Sequence, residues 1–258
     1  MRIAIASHKR PIQIYKQTIS MLLNNDIDLT IVDLYIHQDE LKNYEYLKQY
    51  NLNIYLHRLT ELRFIRTYIA LQYKQGSHIL FLDDDIKDIG KKNNNKINWG
   101  ASLKEMYELG FSECIKRNCS VWGITPYSNG FYMKNKMTEN LKYIPMGCSG
   151  SIINHNCEMR SYSTIEDFER TIKYFLKDSK VLRLNMYCPK TKFYSIGGLN
   201  DLRSYELKKK DIENFTKKYP KLVKIKYKGQ SPSCDKDKKQ SPKDIDILFN
   251  YRAKSSIA

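Results

Sequence analysis

Carboxylates are scarce in this chain: 28 Asp and Glu stand against 44 Lys and Arg, a formal net charge of +16 over 258 residues. Such a field draws nucleic acid, anionic lipid or nucleotide phosphates. A genome rich in Lys and Asn codons yields the same excess, so charge alone names no partner. The six cysteines (Cys114, Cys119, Cys148, Cys157, Cys188, Cys234) include no C-x-x-C pair and no paired histidines. That disfavours a zinc site and reads as free thiols in a reducing compartment. No apolar run approaches the roughly eighteen residues of a membrane-spanning helix, and no apolar leader precedes Ile3-Ala4-Ile5-Ala6. We therefore expect a cytosolic or nuclear protein without signal peptide or membrane span. Glycine is missing from Ser7-His8-Lys9-Arg10-Pro11, which follows the first apolar alternation. A dinucleotide oxidoreductase needs glycine there to turn around a pyrophosphate, so that class is disfavoured. We see no internal repeat.

The pattern that is present alternates strand and helix. Strands are expected over residues 1–6, 29–36, 54–57 and 77–83, with helices from Pro11 to Asn24, from Gln38 to Gln49 and from Leu62 to Tyr73. Four such alternations imply a parallel sheet with right-handed crossovers in one main α/β domain. Lys91 to Lys96 reads as a surface loop, followed by a helix from Ala101 to Asn118, a segment over 120–125, and a Gly/Asn/Lys-rich stretch ending near Lys142. A helix begins around Thr164, with Thr164 and Asp167 spaced as a capping-box variant. A strand over 181–186, a lysine-dense helix over 206–218 and a last strand over 245–249 complete the pattern. The segment 229–243 is rich in Ser, Pro, Lys and Asp and reads as a mobile insertion.

Chemistry concentrates at Ser77-His78-Ile79-Leu80-Phe81-Leu82-Asp83-Asp84-Asp85-Ile86, an apolar run that ends in three carboxylates. A run of this kind is a strand buried on both faces, and its C-terminal end is where open α/β sheets bind ligands. Three adjacent acids repel one another, so a cation is expected there. Asp83 and Asp85 point the same way if the strand continues. Mg²⁺ and Mn²⁺ are bound in this style, through one or two carboxylates plus substrate phosphates. A solvated acidic turn is the plain alternative. Glu166 and Asp167 begin a helix, whose dipole keeps a carboxylate ionised, the state from which a general base starts. Further on, Lys190, Lys192, Lys208 to Lys210 and Lys217-Lys218 interleave with Phe193 and Tyr194, a mixture suited to phosphates and stacked bases. A solvated lysine face fits residues 208–218 nearly as well.

As an ordered set, Ser7-His8-Lys9-Arg10-Pro11, Arg66, Asp83-Asp84-Asp85-Ile86, Gly147 to Ser151, Glu166-Asp167-Phe168-Glu169-Arg170-Thr171 and Lys190 to Gly198 resemble the TET-associated glycosyltransferase family. The resemblance spans about residues 1–228. It implies a glycosyltransferase A-like fold: a Rossmann-type, mostly parallel central sheet flanked by helices, with a nucleotide-sugar half over about 1–90 and an acceptor half over about 91–228. It implies transfer of sugar from a nucleotide-sugar donor, a UDP-sugar, to a hydroxymethylated base in DNA. Ser7, Arg10, Arg66, Asp83, Asp84, Gly147, Ser149 and Gly150 would then bind the nucleotide sugar, and Asp83 and Asp85 the Mn²⁺ or Mg²⁺. Asp167, with Glu166 second, would act as base, and Lys190, Lys192, Tyr194, Gly197 and Gly198 would meet the DNA. The chain has Arg66-Thr67 where the family pattern has Arg-Asn. The other readings are a glycosyltransferase with a glycan or protein acceptor, a nucleotidyl transferase, and a non-catalytic nucleic-acid-binding protein on the same scaffold.

Overall fold

The structure is a computed structural model and describes residues 1–191, 204–227 and 245–253. Its core is an eight-stranded sheet. The N-terminal half supplies β1 (Ile3–Ala6), β2 (Val32–His37), β3 (Asn53–His57) and β4 (His78–Asp83). These lie side by side in the order β3-β2-β1-β4, all parallel. Ile3, Ala4 and Ile5 of β1 and Ile79 to Leu82 of β4 are buried whichever way they point, because packed layers cover both faces of the sheet.

The crossover after β1 runs through α1 (Pro11–Ile14), a π-helical turn (Tyr15–Ile19) and α2 (Ser20–Asn24). The wider π turn shifts the helix phase. Ile14, Thr18, Met21 and Leu22 therefore face the core, whereas Ile12 and Leu23, apolar positions of the expected stripe, face solvent. Short 3₁₀ turns flank α3 (Leu41–Tyr44), and α4 (Leu62–Leu71) returns the chain to β4.

The second half departs from a purely parallel sheet. After β4 come β5 (Asp88–Asn93) and β6 (Lys96–Trp99), then α5 (Leu103–Lys116), β7 (Val121–Ile124), β8 (Met137–Thr138) and β9 (Cys148–Ile152). The Lys91 to Lys96 tract is thus a hairpin rather than a loop. It turns at Asn94, whose φ of 52° suits asparagine; Lys91 and Lys92 lie on the central strand β5, and Lys96 begins the margin strand β6, where charge blocks further pairing. The Gly147 to Ser151 segment is likewise mostly strand. β9 inserts antiparallel between β4 and β7, and its small residues admit neighbours: a Cβ on Gly150 would come 2.3 Å from the Trp122 indole nitrogen.

The chain continues through α6 (His155–Glu158), α7 (Glu166–Asp178), β10 (Leu182–Leu184) and β11 (Tyr187–Lys190). β10 pairs parallel with β7 and antiparallel with β8, which completes the order β3-β2-β1-β4-β9-β7-β10-β8; β11 joins β5 and β6 in a separate sheet. Lastly α8 (Tyr205–Lys218), β12 (Val223–Tyr227) and β13 (Ile245–Phe249) form a layer whose Ile212, Phe215, Val223, Ile245 and Phe249 share a core with Ile172 and Phe175 of α7. The expected last strand is therefore the partner of β12 and part of the wall over α7. Among the described residues no helix is long and apolar enough to cross a membrane.

Candidate active-site cleft

The C-terminal ends of β1 and β4 open into a cleft of about 750 Å³, closed on the far side by the start of α7 and by β13. β4 ends at Asp83, so the strand alternation that would have aligned Asp83 with Asp85 stops before it applies. The three acids diverge instead. Asp84 is buried and organises the loop after β1: Ser7 Oγ donates to it at 2.7 Å and Arg10 at 2.9 Å. Ser7 also meets the Tyr44 hydroxyl at 2.8 Å, so Ser7 and Arg10 shape the cleft wall largely through these internal bonds. Asp85 accepts a hydrogen bond from Thr191 Oγ1 at 2.9 Å and lies 3.6 Å from Arg10. Burial, with the charges of Asp83 and Asp84, pushes its carboxyl up to about 6. Asp83 is the most open of the three and pairs with Arg66.

Asp83 and Asp85, the pair from which the sequence leads us to expect cation binding, both line this cleft. No group of three or more His, Cys, Asp or Glu side chains converges among the described residues, so the chain supplies two carboxylates rather than a cage. Phosphate oxygens and water would complete the shell, the usual manner for Mg²⁺. The space is kept by Gly147: a Cβ there would stand 2.3 Å from Asp83 Oδ2.

Arg66 occupies the centre. It projects from α4, is 6 % exposed, and its Nε and one terminal nitrogen have no hydrogen-bond partner. Burial works against its charge, yet Asp83, Glu166 and Asp167 together hold its pKa above the ordinary value. It thus sits between the carboxylates of β4 and those of α7. Asp167 accepts a hydrogen bond from the Tyr143 hydroxyl. Burial and Asp167 push that phenol well above its usual range, so it remains a donor. The Tyr143 ring stacks on Phe168 at 4.4 Å, and Phe168 meets Phe249 of β13 at 5.4 Å. Thr164 does not cap α7; its backbone and hydroxyl bind Asp211 of α8, and Ile165 stands at the cap position without a side-chain bond.

Beneath the cleft, Glu158 accepts from Arg160 (2.8 Å), Arg170 (3.1 Å), Ser151 (2.9 Å) and Tyr174 (2.9 Å), all buried. Arg170 reaches on to Ser149 at 3.1 Å. Ser149 and Gly150 are therefore committed to the packing of β9, and of the glycine segment it is Gly147 and Cys148 that line the cleft. Lys190 is exposed at the end of β11 with its ammonium 5.0 Å from the Trp99 ring centre. Lys192, Tyr194, Gly197, Gly198 and the 229–243 insertion lie outside the described residues.

Several cleft residues carry no sequence signal. His57, at the end of β3, lines the wall; burial and the neighbouring His37 lower its pKa. Tyr143, Arg183, Thr191, Phe249 and Tyr251 also face the cleft. Each reaches it through contacts far from it in sequence, and with 20 tyrosines in the chain none stands out.

No protein-family model and no curated protein matches the sequence. Solved structures do match by shape. The S. aureus TarS 1–349 structure superposes with a TM-score of 0.53 at 13% identity, over 84% of this chain and 66% of that one. GalNAc-T7, solved with UDP, GalNAc and Mn²⁺, superposes at 0.49 and 15% identity, over 83% of this chain and 47% of that one. The present chain thus spans just under two thirds of TarS 1–349. The fold is glycosyltransferase A-like, a mixed α/β type with a mostly parallel central sheet flanked by helices.

Proposed function

We propose that this cleft moves a sugar from a nucleotide-sugar donor, a UDP-sugar, to an acceptor hydroxyl, the acceptor being a hydroxymethylated base in DNA. The observation that carries the reading is Arg66, a buried guanidinium with unused donors set between two groups of carboxylates. A cation there suits a diphosphate that gains charge as the sugar departs, because donors fixed in advance act most strongly where charge develops. Asp83 and Asp85 would hold the divalent cation, which as a Lewis acid neutralises the leaving diphosphate.

Asp167 takes the proton of the acceptor hydroxyl while that oxygen bonds to the anomeric carbon. The bond from that carbon to the diphosphate oxygen breaks, and its electron pair leaves with the diphosphate. Tyr143 orients Asp167, and the Phe168–Phe249 contact closes the side of the cleft against water. Ser7, Arg10 and Asp84 brace the donor wall. The net charge of +16 supports the nucleic-acid acceptor. The test is turnover of a panel of nucleotide sugars with Mn²⁺, with and without hydroxymethylated DNA, in the native chain and in Asp85→Ala. Turnover that needs both metal and Asp85, with sugar appearing on DNA, is the expected result. Metal-dependent donor turnover that leaves DNA unmodified, with the sugar released to water or placed on a glycan or protein, would overturn the acceptor, and absence of donor binding would overturn the enzyme.

A further inference from the structure

One arginine in the cleft lacks the partner its neighbours have. Arg10, Arg66, Arg160 and Arg170 each meet a carboxylate. Arg183, in β10, meets none among the described residues, although burial lowers its pKa and only the phenols of Tyr127 and Tyr251 offset this. It is nonetheless held in place. Its Nε donates to Asn185 Oδ1 at 2.9 Å, and Asn185 is tied by its own amide to the Lys136 carbonyl (2.9 Å) and to Thr138 Oγ1 (3.1 Å).

Three more cations gather on this edge of the sheet. Lys134 and Lys136 flank the Asn185 backbone, whose carbonyl accepts from the Lys134 amide at 3.3 Å and whose amide donates to the Lys136 carbonyl at 3.2 Å. Lys142 lies with its ammonium 5.7 Å from the Tyr251 ring centre. Burial, then Arg183, Lys134 and Lys136, lower the Lys142 pKa. No ion pair joins any of the four to an acid among the described residues, so they repel one another uncompensated. Such a group is stable in company with an anion. Aromatic rings stand beside it: Tyr127 and Tyr251 line the same cleft as Asp167, and Phe131 and Tyr132, 74% and 63% exposed, occupy the turn just before Lys134.

We infer that Arg183, Lys134, Lys136 and Lys142 bind backbone phosphates of a nucleic-acid acceptor, with Tyr127 and Tyr251 stacking its unpaired bases beside Asp167. The assignment rests on the glycosyl-transfer reading only for what is done to the base. Two exposed lysines and two half-buried cations, with aromatic rings among them, are an arrangement that holds single strands without reading sequence. A base presented to Asp167 has to leave its stack, so an unpaired segment is the form this surface would take.

The experiment measures binding of the full chain to a fluorescent single-stranded oligonucleotide carrying hydroxymethylated cytosine, across salt concentrations, for Arg183→Gln, Lys142→Gln and, at an exposed position, Lys136→Gln. Each cation removed is expected to lower the slope of log affinity against log salt by roughly 0.7. Arg183→Lys restores most of the slope, and Tyr251→Ala weakens the oligonucleotide but not inorganic polyphosphate. Native slopes in all three glutamine variants would overturn the site, as would polyphosphate and oligonucleotide responding alike to Tyr251→Ala. Metal-dependent donor turnover by the native chain is scored separately. Its absence alongside reduced slopes would sink the transfer reading and leave the phosphate site standing, whereas its presence alongside native slopes would do the reverse.

Discussion

Gly147 is the residue at which the carboxylate site is most easily spoiled. It precedes β9, its carbonyl accepts the Asp83 amide at 2.8 Å, and a Cβ would stand 2.3 Å from Asp83 Oδ2 and 3.0 Å from Cγ. The clash falls on a side chain that can swing, so Gly147→Ala would displace the carboxylate from Arg66 rather than unfold the strand. We expect the Mn²⁺ requirement of Gly147→Ala to rise by at least about tenfold, with its melting temperature near native, in a metal titration of donor turnover. Tyr143→Phe tests the neighbouring group. Loss of one hydrogen bond to Asp167 is expected to lower kcat by about tenfold, the equivalent of ~1.4 kcal/mol, while KM for the donor stays the same. A raised donor KM with native kcat would place Tyr143 in donor binding instead.

At the scale of elements, α6, α7 and β9 are locked by Glu158. Burial alone would raise its carboxyl pKa; Arg170 and Arg160 outweigh that and bring it down to about 2, against an ordinary 4.5. The folded state therefore releases this proton more readily than the unfolded chain. Its contribution to stability is full above the ordinary value and is lost as pH falls toward 2, because there the unfolded state binds the extra proton. Glu158→Gln leaves two buried arginines without a counter-charge, at a cost of about 3–5 kcal/mol. Urea midpoints measured from neutral pH down to about pH 3 should fall faster for the native chain than for Glu158→Gln, so that the two curves converge. Parallel curves would mean that Glu158 does not carry the acid sensitivity. Gly150→Ala tests the same strand from its other side: overpacking against Trp122 is expected to cost about 1–3 kcal/mol without altering metal use.

For the whole molecule the net charge of +16 sets how it meets a polyanion. Affinity for DNA should fall steeply with salt and depend little on sequence or modification, since phosphates supply most of it. Under the proposed reaction, turnover by contrast should require the hydroxymethyl group, whose hydroxyl would give its proton to Asp167. Binding assays on modified and unmodified DNA at two salt concentrations separate the two properties. A strong preference for modified DNA in binding alone would show that the cleft reads the base before it reacts.

Local pattern determined the parallel βα units of the first half, the place where Asp83, Asp84 and Asp85 leave the sheet, and Glu166 and Asp167 at a helix start. These follow from apolar periodicity and from charge that ends it, both written in neighbouring residues. Tertiary structure alone decided that Asp84 serves Ser7 and Arg10, that β9 enters antiparallel, and that the last strand joins β12 over α7. It alone set Arg66 between two acidic groups and brought Tyr143 to Asp167 and Lys142 to Arg183. Those relations join residues distant along the chain, and burial with hydrogen bonding, rather than local propensity, selects such partners.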